Sequence, residues 1–178
     1  MADIDPRAYP IGRFRFDVTP PLAMIARREL VEEIAHAPIA FSAVAKDLTD
    51  AQLATPYRPG GWTVRQVLHH VPDSHLNAYV RFRKAITEDA PPIVAYQEGR
   101  WADLADSKLP VQVSLDLLAA LHTRWVATLR SLPAEAFART YVHPEMGAVP
   151  LDKALALYAW HGRHHLAHVE LALGKRTV

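Results

Sequence analysis

The chain is predicted to be all-α, a four-helix bundle with long connections, and three observations predict it. Four segments carry apolar residues at helical spacing, capping residues, proline or glycine bound these segments, and extended connections separate them. With 178 residues and half of them apolar, the chain suits one domain spanning residues 1–178.

Thr19 in Val18-Thr19-Pro20-Pro21 is placed to cap the first helix, and Leu22, Ile25, Leu30 and Ile34 recur behind it. Pro38 is expected to bend or break that helix, because proline lacks the backbone donor and crowds the preceding turn. Helical character then continues through Ile39-Ala40-Phe41 to about Leu48. Thr49-Asp50-Ala51-Gln52 has capping-box spacing and predicts one short turn.

Arg58-Pro59-Gly60-Gly61 reads as a loop, and Thr63-Val64-Arg65-Gln66 as a second capping box. It opens a second helix running through Val67, Val71, Leu76, Val80 and Ile86. Residues 89–109, with Pro91, Pro92 and Gly99, form a long connection of the kind that often carries function. The third helix covers about residues 113–131 with Leu115, Leu118, Leu121, Trp125 and Leu129 as its stripe, and Pro133 helps to end it. Residues 140–149 predict a small hairpin or a loop. Asp152 is expected to cap the final helix, which ends at Gly174.

Composition narrows the chemistry. A formal net charge of +1, with charges interspersed, gives no electrostatic case for nucleic acid or an anionic membrane. A small-molecule partner is expected instead. No cysteine is present, so a metal would have to sit on His, Asp or Glu. The acidic N-terminus lacks an apolar signal region and no run is long enough to span a bilayer, which predicts a cytoplasmic protein.

The final helix holds His161, His164, His165 and His168 at i, i+3, i+4 and i+7, so all four project from one face. A histidine alone is more often a surface or hydrogen-bonded core residue. Four on one face, with the pair His69-His70 on the second helix, point to a metal. Adjacent helical residues diverge by about 100°, so only one of that pair can enter the site. Spacing leaves His161/His165 and His164/His168 equally eligible as a one-turn pair. Gly162 stands where zinc proteases place glutamate, which disfavours that class. Asp73, one turn after His70, suits a carboxylate that fixes an imidazole tautomer or accepts a proton, although a solvated or capping role is the commoner one for such a residue. Arg163 reads as a surface or ion-pairing residue, and the four tryptophans as core or pocket wall.

Several stretches together carry a family resemblance. Tyr9-Pro10-Ile11-Gly12-Arg13-Phe14, the segment Trp62 to Asn77, Tyr96 to Leu104 and the segment Tyr158 to His168 resemble the YfiT-type members of the DinB superfamily. The resemblance implies a four-helix bundle, commonly a homodimer, and one divalent metal per chain, zinc or nickel, on three histidines. Carried onto this sequence, the ligands are His70, His161 and His165, and His164 and His168 fall to supporting or surface roles. Pro72 departs from the family pattern and is expected to free the Leu68 carbonyl and kink the second helix beside the site.

Such a site activates water for hydrolysis, the activity the resemblance implies. It serves equally to deprotonate a low-molecular-weight thiol for transfer to an electrophile, as related bacillithiol transferases do. Two non-enzymatic readings compete: a haem-binding bundle with axial imidazoles, and an interaction module with a solvated histidine face.

Overall fold

In chain order the computed structural model, which describes residues 5–16 and 21–177, contains α1 (Met24–Ala45), the one-turn α2 (Asp50–Leu53), α3 (Val64–Thr87), the one-turn α4 (Glu98–Trp101), α5 (Val111–Ser131), strands β1 (Thr140–His143) and β2 (Gly147–Pro150), and α6 (Leu151–Ala172). The long helices pack in the cyclic order α1, α6, α3, α5, each against two neighbours. The all-α four-helix bundle is therefore the observed architecture, with the β1–β2 hairpin as its one sheet among the described residues.

Both capping boxes form. At the start of α3 the Thr63 hydroxyl accepts from the Gln66 N–H at 3.2 Å while Gln66 Oε1 accepts from the Thr63 N–H at 3.0 Å. Thr63→Ala leaves the Gln66 N–H to water, and an expected loss of about 1 kcal/mol, read from the denaturant midpoint, checks the cap.

Neither proline breaks its helix. α1 runs unbroken through Pro38 and α3 through Pro72, both buried within the bundle. Tertiary packing on both sides holds each helix across the lost hydrogen bond. The proposed Thr19 cap lies outside the described residues, and α1 starts at Met24 with no side-chain cap. It ends at Ala45, short of Leu48.

On α3 the apolar residues Leu76 and Val80 point outward, 39% and 47% exposed, and the buried stripe is instead Val64, Val67, Leu68, Val71, Ala78, Tyr79, Phe82 and Ala85. The expected stripe of α5, from Leu115 to Leu129, is buried throughout. Two apolar clusters form the core, one around Ile34, Phe82, Trp125 and Leu155, the other around Phe41, Leu68, Leu118 and Val169.

The hairpin buries Tyr141 opposite Val149. It also captures the connection after α3: the Val142 N–H donates to the Pro91 carbonyl and the Ile93 N–H to the Val142 carbonyl. At the far end of the chain, Gly174 takes φ +66° as α6 closes, the left-handed conformation expected of a residue just past a helix.

Asp152 is not the cap of α6. It sits inside the first turn, fully buried, and accepts from Arg27 Nε at 2.6 Å, Arg27 Nη2 at 2.8 Å and the Leu22 N–H at 2.9 Å. This forked pair locks the start of α6 to α1. Removing one partner strands a buried charge, so Asp152→Ala is expected to lose about 3–5 kcal/mol in urea unfolding. A loss below about 1 kcal/mol would show that the pair is not an anchor.

Among the described residues no helix is long and apolar enough to cross a membrane.

Candidate metal centre

α3 and α6 lie side by side, and their histidines meet along that seam. His70 and His69 diverge as helix geometry requires. His69 turns toward α5, where its Nε2 donates to the Leu109 carbonyl at 3.2 Å and its Nδ1 accepts from Ser114 Oγ at 2.7 Å. His70 faces α6. Its ring centroid is 4.7 Å from that of His165 and 5.4 Å from that of His161, and the two α6 rings, one turn apart, are 4.4 Å from each other. One nitrogen from each of His70, His161 and His165 lies within 4.8 Å of the others.

Burial keeps these imidazoles neutral. It pushes His70 down to about 4, with His164 adding a smaller push. It drives His161 and His165 well below the ordinary histidine value, with further lowering from the surrounding imidazoles. A neutral imidazole offers a lone pair to a metal, whereas an imidazolium offers none. His70 makes no hydrogen bond among the described residues, so both of its ring nitrogens are unengaged. Three neutral nitrogens with no carboxylate or thiolate fit a borderline divalent ion such as zinc or nickel.

The three rings line a cavity of about 520 Å³. Trp62 and Trp160 wall it, the ring of Trp62 being 4.6 Å from that of His70. Tyr9 from the N-terminal segment, Tyr57 and Arg58 from the loop before α3, and Tyr96 and Glu98 from the long connection complete it. That connection, expected to be functional, does reach the site. Gly61 is required here, because a Cβ on it would fall 2.8 Å from Arg58 Cγ and 3.0 Å from Tyr57 Cζ. Tyr96 is pushed up to about 12, mainly by burial, and stays a protonated donor at neutral pH.

His164 and His168 are not surface residues. Both are buried cavity liners, His164 stacked on Trp160 at 4.4 Å and His168 on Tyr57 at 3.9 Å. His168 Nδ1 comes within 3.4 Å of His165 Nδ1. Arg163, as expected, faces outward and pairs with Glu33.

Asp73 does not join the cluster. It is only part-buried, its carboxyl is raised to about 6 by burial and by Asp106, and it makes no hydrogen bond to a histidine among the described residues. Its neighbours on α3 take the expected place: Ser74 Oγ lies 3.3 Å from His161 Nε2, and His75 Nε2 lies 3.1 Å from His161 Nδ1. Sequence reasoning passed over His75 and His122. The available signal was that His122 falls on the apolar stripe of α5, four residues after Leu118 and three before Trp125.

A helical bundle with a cavity-lining histidine triad on two neighbouring helices defines the class of protein, and comparison with known proteins supplies the family. Residues 33–169 match the model of the DinB superfamily, and the chain belongs to that superfamily. A Bacillus cereus protein named "Putative metal-dependent hydrolase" is 52% identical over 161 residues, covering 90% of this chain and 92% of its own. A similarly named Oceanobacillus iheyensis protein is 48% identical over the same length. Among solved structures, YfiT from Bacillus subtilis, described as "a probable metal-dependent hydrolase with an unusual four-helix bundle topology", superposes with a TM-score of 0.90 at 40% identity, covering 96% of this chain and 98% of YfiT. A second four-helix bundle protein, at TM-score 0.54 and 24% identity, shares the fold.

Proposed function

We propose that this chain is a metal-dependent hydrolase of small molecules, with one zinc or nickel ion held by His70, His161 and His165. The observation that carries the reading is the convergence of three neutral imidazoles from α3 and α6 on the wall of a cavity. Relatives bearing the metal-dependent hydrolase name support it. A divalent ion in such a site supplies Lewis acidity and brings the pKa of a coordinated water toward 7.

The protein's own groups do the rest. His70, His161 and His165 bind and orient, and burial spares them the proton that would compete. Trp62 and Trp160 limit water around a bound substrate, which strengthens polar interactions there. Tyr96 holds its proton and can donate to oxyanion charge that develops during ester or amide cleavage. Arg58 brings the cavity a positive charge for an anionic substituent.

The test combines metal analysis with turnover. Protein purified without chelator is expected to carry one zinc or nickel per chain and to hydrolyse members of an ester and amide panel, losing activity on chelation and regaining it with metal. Metal well below one per chain, or no metal-dependent turnover, overturns the reading. Turnover confined to a parallel arm with a low-molecular-weight thiol and an electrophile replaces hydrolysis with thiol transfer.

A further inference from the structure

Beyond the three ligands, polar groups run in single file from the site into the core. His161 Nδ1 lies 3.1 Å from His75 Nε2, His75 Nδ1 lies 2.8 Å from His122 Nε2, and His122 Nδ1 lies 2.6 Å from the Ile34 carbonyl oxygen. The row takes one residue from each bundle helix, in the order α6, α3, α5, α1.

The inner end dictates the direction of every hydrogen bond in it. A carbonyl only accepts, so His122 donates from Nδ1. A neutral imidazole has one N–H, which leaves His122 Nε2 as an acceptor for His75 Nδ1–H. By the same rule His75 Nε2 accepts from His161 Nδ1–H. His161 is then left with its lone pair on Nε2. The Ser74 hydroxyl, 3.3 Å from that atom, is able to donate to it.

Two features hold the row in this state. His75 and His122 are 0% and 2% exposed with no carboxylate among their hydrogen-bond partners, so burial disfavours an imidazolium at either position. The Ile34 carbonyl is available because Pro38, four residues later in α1, has no N–H to return to it. The proline thus leaves α1 intact and frees the acceptor that terminates the row.

We propose that His75 and His122 are positioning residues of the metal centre: anchored on the Ile34 carbonyl, they hold His161 as its Nδ1–H tautomer and present its Nε2 lone pair to the metal. The proposal rests on the metal reading above. The row ends at a buried backbone carbonyl, so it offers no proton exit and acts by orientation and polarisation of the ligand.

Long-range proton–nitrogen correlation spectra of 15N-histidine-labelled, metal-free protein read the tautomers directly. His161, His75 and His122 are all expected to be protonated on Nδ1 and bare on Nε2. An Nε2–H form of His161 overturns the proposal. Zinc affinity, measured by competition with a chromophoric chelator, supplies a second readout. His75→Leu is expected to weaken it about 10–100-fold. His75→Gln, whose Oε1 can accept from His161 Nδ1–H, is expected to recover most of that loss. Wild-type affinity in His75→Leu, or equal loss in both variants, overturns the proposal. Wild-type protein that binds no zinc sinks the metal-centre reading, while the tautomer spectra still decide the row.

Discussion

His161→Ala and His165→Ala are each expected to lose zinc or nickel affinity by more than about 100-fold, whereas His164→Ala and His168→Ala are expected to retain it to within about tenfold. The magnitude follows from ligand arithmetic. Removing a group that merely orients a ligand costs about 10–100-fold, so removing the ligand itself costs more. The separation follows from geometry, since only His161 and His165 of the four bring a nitrogen within 4.8 Å of both the other and His70. His164 and His168 are instead engaged by aromatic stacking against Trp160 and Tyr57. Their truncation opens the cavity wall without opening the coordination sphere. Isothermal titration of metal-free variants with zinc measures all four. Equal loss across the set would mean that the final helix presents a diffuse histidine face rather than a defined site.

The sequence made the helix face legible and left the choice within it open. A capping box located the start of α3 and an apolar stripe located α5, because both are local signals. Rotation about α3 was less legible: Leu76 and Val80 look like core residues in the string but point outward. The buried face of α3 also carries His69, His70, Ser74 and His75, polar residues that a hydrophobic count passes over. The same blindness hid His122, a polar residue whose hydrogen-bond partners among the described residues lie 47 and 88 positions away. Asp152 shows the limit from another side. Its position at a helix start reads as a cap, and only the approach of Arg27 across 125 residues converts it into a buried ion pair. Pro38 was legible as a lost hydrogen bond, but not as the source of an acceptor for another helix.

Metal-free protein is expected to unfold steeply between about pH 6.5 and pH 4. Burial lowers His70, His122 and His164 to about 4 and His168 to about 3, with His75, His161 and His165 held well below the ordinary value. Unfolded chain recovers the ordinary value of about 6.5 at each position. Below that pH the unfolded state binds protons that the native state refuses. The stabilisation is therefore complete above 6.5 and is lost as the pH falls toward the folded values, at up to about 1.4 kcal/mol per pH unit for each histidine. Asp73 works in the opposite sense. Its carboxyl, raised from 3.8 to about 6, makes the native state the better proton binder between those values and offsets one histidine at most. Several histidines acting together over one pH unit reach the size of a typical folding free energy, about 5–15 kcal/mol. Bound metal engages the folded state alone and adds about 4 kcal/mol at a free concentration 1,000 times its Kd, so the transition moves to lower pH when zinc is present. Far-ultraviolet circular dichroism and tryptophan fluorescence, followed against pH with and without zinc, check both parts. A metal-free protein still folded at pH 4, or a midpoint indifferent to zinc, would contradict a core built around neutral histidines that await a metal.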